Sequence, residues 1–360
     1  MLSNQLKRTL IKITPFGLVP MIFSIVYSLL EKGILGDYAY YPSTGNPYTF
    51  NLEVPALVSF IVGVLIGLLE VLYLSKLFIK ASFRRKIILK TAIYFGVLIT
   101  AIFIIAILRI SYNAQLSPFH PEVINNLANF FSSFALWSVL LYFTLGLIGC
   151  LFYSEISDNL GQYVILNFFT GKYHKPIEEE RIFMFLDMKS STTIAEKLGH
   201  VKYFGLLNTF YNDLSDAIVK YGGEIYQYVG DEIVITWKFH KKSNPADCIQ
   251  CFFAMQEALS NKSEQYLKKY KLVPTFKAGI HLGTVTTGEI GKLKKDFVFT
   301  GDILNTTARI QGLCNAFKVN ILVSKNLVDA LQLHQQFNFI ELGETQLRGK
   351  DKKITLYSIK

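Results

Sequence analysis

The chain has 360 residues, 51% of them hydrophobic, a formal net charge of +10 and a mean hydropathy of +0.32. That is room for two domains and too apolar for an ordinary soluble protein. The apolarity collects in four runs before about residue 155, where a bilayer-crossing helix needs roughly 20 residues.

The first run is PFGLVPMIFSIVYSLL, Pro15 to Leu30, interrupted by two prolines. No small-residue cleavage site follows it, so a removable signal peptide is a poor reading. The second runs from Val54 to Phe78 and holds one acid, Glu70; the third, Thr91 to Leu108, has no charge; the fourth covers Phe130 to Tyr153. Spans are expected at about 13–30, 54–78, 91–108 and 130–153. Glu70 could be a sensor or ion-pathway residue, a snorkelling acid or an interhelical partner. Lys76, Lys80, Arg84, Arg85, Lys86 and Lys90 crowd the second connection, and Lys7, Arg8 and Lys12 precede the first span. The connections Glu31 to Glu53 and Arg109 to Asn129 are poor in Lys and Arg. The positive-inside rule then puts both termini in the cytoplasm of a multi-pass integral membrane protein. Much of the basic excess is thereby topology and anionic-lipid contact, not a nucleic-acid surface.

Beyond the last run, Ile156, Leu160, Val164 and Phe168 make one apolar stripe at four-residue steps. The expectation is a helix that continues from the membrane and ends near Gly171 and Pro176. Its stripe would pair with a parallel copy of itself or pack on the following domain. The organisation expected is 1–153 transmembrane, 154–176 coupling helix and linker, and 177–360 a further domain.

From Arg181 strand and helix patterns alternate. RIFMFLD reads as a buried strand ending in Asp187, and STTIAEKLG as a helix with a Thr193-x-x-Glu196 capping box. An amphipathic helix stops at Gly222-Gly223. Strands EIYQYV and EIVITWKF flank the turn at Gly230 and Asp231. VPTFKAGIHLG and TVTTGEIG read as a strand pair, GDILNTTARIQGLC as a helix, NILVS as a strand and NLVDALQL as a short helix. The tail reads as strands around ELGETQLRGK and KITLYSIK. The pattern describes an α/β sandwich, helices against a mixed sheet. Cys248-x-x-Cys251 falls on an amphipathic helix without a second pair or a nearby His, so two reduced, buried cysteines are expected.

Asp187 ends a strand and Asp231 sits on a following turn. If those strands are neighbours, two hard carboxylates converge in a way that suits Mg²⁺ or Mn²⁺ carrying a polyphosphate. Ser190, Ser191 and Thr192 lead into a helix N-terminus, where free amides and the dipole favour phosphate. Asn305 and Arg309 share one helix face, an amide suited to a sugar and a guanidinium suited to a phosphoryl group in flight, or simply a surface pair. Arg348 and Lys350, in LRGK, could hold the leaving polyphosphate.

With FLDMKSST, QYVGDEIV, AGIHLGTVTTGEIG and GDILNTTAR in that order, the chain from about Arg181 to Lys360 resembles the class III nucleotidyl cyclases. The resemblance implies a ferredoxin-like α/β catalytic domain working as a homodimer. Asp187 and Asp231, assisted by the Met188 carbonyl, would bind two divalent cations (Mg²⁺ or Mn²⁺). Asn305 would position the ribose, Arg309 would stabilise the transition state, and Arg348 or Lys350 would hold the terminal phosphates. The aspartates would come from one chain, and the Asn, Arg and base-reading residues from the other. In-line attack of the ribose 3′-OH on the α-phosphate would expel pyrophosphate. The base-reading positions depart from the family: Gln227 stands where the adenylate pattern has Lys and the guanylate pattern Glu. Val298, with Thr300 beside it, stands where Asp, Thr or Cys is usual. Gln227 can donate and accept, so it could meet either purine; ATP is expected, with GTP the alternative. A diguanylate cyclase is disfavoured by the VGDEI turn, a transporter by the lack of repeated halves or paired intramembrane charges, and a dead nucleotide-binding regulator by the filled catalytic positions.

Overall fold

The computed structural model describes residues 3–40, 48–78, 81–240, 244, 246–293, 295–331 and 337–360. Lys80, part of the first connection (41–47), and Gln332 and Leu333 at the end of NLVDALQL lie outside the described residues. The chain divides into two compact units, with Leu6–Leu166 forming one and Asn167–Lys360 the body of the other.

In the first unit, among the described residues, four helices are long and apolar enough to cross a membrane. They are α1 (Asn4–Leu35), the Glu53–Leu77 helix, α4 (Phe83–Ala114) and α6 (Phe134–Leu160). The second is composite: α2 (Glu53–Leu69), a π turn over Glu70–Leu74, and α3 (Ser75–Leu77). The fourth starts later than 130. Ser133 is extended and its hydroxyl caps the Leu136 amide at 3.3 Å, so Phe130–Ser132 belong to a separate helix, α5 (Pro121–Ser132). The sequence carries that helix's start signal, Pro121 and Glu122 behind a capping His120.

Glu70 is an interhelical partner. It opens the π turn and is 1% exposed, as is Lys90 on α4. Lys90 Nζ donates to Glu70 and, at 2.7 Å, to Glu155 Oε1 on α6. Lys86 Nζ reaches Glu155 Oε2 at 3.0 Å, and the Tyr94 hydroxyl reaches Glu70 Oε2 at 3.0 Å. Charges with no access to water persist only when paired and hydrogen-bonded, and this network joins three helices.

The single helix expected through residue 170 is two. Gly161 adopts φ +94, which ends α6 at Leu160; α7 (Gln162–Thr170) follows. Leu160, Val164 and Phe168 are exposed.

The second unit holds an eight-stranded sheet in the order β2-β3-β1-β4-β6-β8-β7, with β5 paired to β4. The strands are β1 (Ile177–Met188), β2 (Glu224–Val229), β3 (Glu232–Lys238), β4 (Phe276–Ile290), β5 (Asp296–Thr300), β6 (Ile321–Ser324), β7 (Phe339–Gln346) and β8 (Lys353–Ile359). β1 lies between β3 and β4, and its unbroken apolar run follows from burial on both faces. Ile182, Met184 and Leu186 pack with Phe210 of α9 (His200–Lys220) and Phe252 of α10 (Asp247–Asn261). Phe183 and Phe185 pack on the other face with Ile303 of α12 (Asp302–Gly312). α8 (Ser191–Leu198), α11 (Ser263–Tyr270) and α13 (Lys325–Leu331) complete the unit. Cys248 and Cys251 are reduced and buried.

Three local expectations are corrected. AGIHLG and TVTTGEIG are one strand, β4, because Gly283 stays in register with Arg181 of β1 instead of turning; its hairpin partner is β5, reached past Gly291. α8 begins at Ser191 behind Ser190, which is left-handed (φ 55) and makes no side-chain cap, so Thr193 lies inside the helix. Arg348 and Lys350 lie in the turn between β7 and β8, with Gly349 at φ +71, not on a strand.

Candidate active site

Asp187 is the penultimate residue of β1, paired with Glu232 on β3 and Lys277 on β4. Asp231 is the second residue of the two-residue turn that Val229 and Glu232 close. The Met188 amide donates to the Asp231 carbonyl at 3.4 Å, tying turn to strand. Gly230 needs its glycine because φ is +61; a Cβ there would meet nothing within 4 Å.

The carboxylates of Asp187 and Asp231 lie side by side. Burial, and then the neighbouring Asp231 carboxylate, push the Asp187 carboxyl above its ordinary range, against the pull of Lys277. Glu232 is half-buried and is pushed up by burial first, then by both aspartates. Two donors touch Asp187 Oδ2, each at 3.3 Å: Lys277 Nζ and Gln311 Nε2. Neither was evident in the sequence, since the contacts arise from strand register and helix docking. Under-compensated negative charge on adjacent hard oxygen donors fits a divalent cation. Among the described residues no cluster of three or more His, Cys, Asp or Glu forms a self-contained metal cage.

The other predicted site residues stand at the β1–α8 junction, on α12, in the β7–β8 turn and on β2 and β5. Ser190, Ser191 and Thr192 stand where β1 passes into α8, Ser190 and Thr192 exposed. On α12, Asn305 is exposed and Arg309 half-buried, while Ile303 and Ile310 face inward. α12 lies hard against β4: a Cβ on Gly279 would sit 2.4 Å from the Gln311 backbone nitrogen. A Cβ on Gly349 would come 3.7 Å from Arg309 Nη2, so the β7–β8 turn borders Arg309. Lys350 Nζ pairs with Asp302 and holds that carboxyl below the usual range; Arg348 is exposed. Gln227 is exposed beside a bulge in β2. Val298 is half-buried on β5 and Thr300 is exposed. The Phe299 amide donates to the Tyr226 hydroxyl at 3.4 Å, and the two rings meet at 4.8 Å, so the strands bearing Gln227 and Val298 are tied together. Among the described residues no hydrogen bond or ion pair joins Asp187 or Asp231 to Asn305 or Arg309.

The family described as "Adenylate and Guanylate cyclase catalytic domain" matches residues 173–360, more than half of the chain. The chain belongs to the adenylate and guanylate cyclase family. The chain is similar to "Adenylate cyclase 2" of Rhizobium meliloti (strain 1021), 35% identical over 209 residues that make up 58% of each protein. It is also similar to "Adenylate cyclase" of Anabaena cylindrica, 29% identical over 49% of this chain and 36% of that one. The chain thus spans little more than half the length of the one relative and about a third of the other. A solved bacterial light-regulated adenylyl cyclase shares the fold, with a TM-score of 0.53 at 20% identity, covering 63% of this chain and 66% of that one.

Proposed function

We propose that the protein is a membrane-bound adenylate cyclase that converts ATP to 3′,5′-cyclic AMP and pyrophosphate in a pocket shared by two copies of the chain. The observation that carries this reading is the adjacent pair of half-buried carboxylates, Asp187 and Asp231. Asn305 and Arg309 on α12 make the other half of the site, with Asn305 exposed and so open to a second copy. A second copy brings complementary halves together, which is how an isologous interface works.

In that pocket Asp187, Asp231 and the Met188 carbonyl hold two divalent cations, Mg²⁺ or Mn²⁺. When bound, these supply acidity to the ribose 3′-OH and charge neutralisation to the triphosphate. The first-turn amides of α8 behind Ser190, Ser191 and Thr192 cradle phosphate. From the other copy, Asn305 orients the ribose and Arg309 meets the charge that develops on the α-phosphate. Arg348 and Lys350 grip the outer phosphates, Lys350 by leaving Asp302. Gln227, Val298 and Thr300 read the base. Gln227 is also compatible with GTP, and that second reading stands on its amide alone.

Residues 1–153 form the four-span membrane domain, 154–176 the coupling segment and 177–360 the catalytic domain. Both termini face the cytoplasm. Purified full-length protein in lipid, assayed with ATP and GTP under Mg²⁺ and Mn²⁺, tests the substrate. Mixing Asp187→Asn with Arg309→Ala tests the shared pocket, because a heterodimer of the two retains one intact site. Two dead variants that associate but regain no turnover would sink it.

A further inference from the structure

The turn that presents Asp231 is held from outside the hairpin. Tyr211, on α9, donates its hydroxyl to the Gly230 carbonyl at 2.9 Å, with the Glu232 carbonyl at 3.4 Å. Its ring lies against Tyr228 of β2 at 4.6 Å between centroids. One side chain thus touches the backbone on either side of Asp231 and the strand leading into it.

The acceptor matters more than the number of contacts. Gly230 has φ +61, whereas Asp231 is not among the positive-φ residues, the pattern of a type II′ turn. Rotating the Gly230–Asp231 peptide would convert it to type I′, which requires positive φ at both positions. Aspartate is one of the few side chains that tolerate this, so local sequence does not forbid the flip. A turn exchanging between the two forms would hold the Asp231 side chain less firmly beside Asp187. The carbonyl that would have to rotate is the one Tyr211 holds.

We propose that Tyr211 is a positioning residue: its hydroxyl latches the Gly230–Asp231 peptide in the orientation that keeps the Asp231 carboxylate beside Asp187. The inference rests on the reading of these two carboxylates as a divalent-cation site and adds a residue on a different element to it. The Tyr211 hydroxyl bonds to backbone carbonyls and not to either carboxylate, so it acts through the backbone.

The test is Tyr211→Phe in the full-length protein, which keeps the ring on Tyr228 and removes the latch. Mn²⁺ binding is followed directly by the loss of the free-ion electron paramagnetic resonance signal, and separately by the Mn²⁺ dependence of turnover. The half-saturating Mn²⁺ concentration is expected to rise about tenfold in both, one hydrogen bond's worth of positioning. At saturating Mn²⁺ the maximal rate should stay within about threefold of the parent, since excess metal selects the productive flip. Tyr266→Phe is the control. It removes a hydroxyl bonded to Asp213, also on α9, at 2.8 Å, and should leave the Mn²⁺ curve in place whatever it does to stability. Curves for Tyr211→Phe that superpose on the parent overturn the latch, and so does an equal shift in Tyr266→Phe. If an Asp187→Asn/Asp231→Asn variant binds Mn²⁺ as the parent does, the two-carboxylate reading falls and the latch falls with it.

Discussion

Replacing Lys90 by methionine should loosen the membrane unit far more than an ordinary conservative change. Lys90 is 1% exposed and stands between Glu70 and Glu155, which are 1% and 5% exposed. The two acids do not lose equally. Glu155 keeps Lys86 at 3.0 Å, whereas Glu70 keeps only the Tyr94 hydroxyl at 3.0 Å among its described partners. A methionine fills most of the volume, so the penalty is the stranded Glu70 charge, about 3–5 kcal/mol for a buried pair broken on one side. Removing the stranded charge as well, in Glu70→Leu/Lys90→Met, should recover most of the loss, because an apolar replacement of a buried pair is often neutral. Cys150 supplies a local probe: it is 1% exposed and packs with Phe16, Tyr94 and Leu151. Its modification by a thiol reagent, located by peptide mapping in nanodiscs, reports the free energy of local opening. A cost of about 3 kcal/mol corresponds to labelling faster by about two orders of magnitude. Equal rates in the parent and Lys90→Met, or a double variant as labile as the single one, would show that the charge network does not hold these helices.

Two further outcomes follow from the catalytic half. Gly279→Ala drives a Cβ against the Gln311 backbone, 2.4 Å from its nitrogen and 2.7 Å from its Cα; it should cost about 1–3 kcal/mol and, by displacing Asn305 and Arg309, about 100-fold in turnover, read by denaturant unfolding and cyclic-nucleotide assay. His281, buried on β4 with Nδ1 2.7 Å from the Ser324 hydroxyl, is pushed down to about 4 by burial first and then by Lys350. The fold therefore holds it neutral while the unfolded chain takes up a proton below about pH 6.5. Its contribution is complete above that value and is lost, by about 3 kcal/mol, as the pH falls towards 4. Denaturation followed by Trp237 fluorescence should show that loss in the parent and a shallower one in His281→Gln.

How much of this could be read in the sequence depends on whether a feature is local or made by docking. The buried strand before Asp187, the glycine turn before Asp231 and the apolar stripe behind Asn305 and Arg309 are each written within a dozen residues, because burial and turn geometry act at that range. Gly283 misled for a physical reason. A glycine between two strand-like stretches signals a turn only if no neighbouring strand claims it, and here Arg181 of β1 pairs opposite it. Gly161 shows the reverse case, a residue inside an apolar periodicity whose φ of +94 breaks the helix that the stripe implied. The partners of Asp187 and Asp231 were illegible for a third reason. Lys277, Gln311 and Tyr211 lie about 90, 124 and 20 residues from the groups they serve, on elements whose own patterns are fully explained by core packing. A polar residue on a packed helix or strand acquires a role only when the sheet order is known, and that order is set by the whole β2-β3-β1-β4 arrangement. The motif thus names which carboxylates meet, while the long-range register decides what holds them.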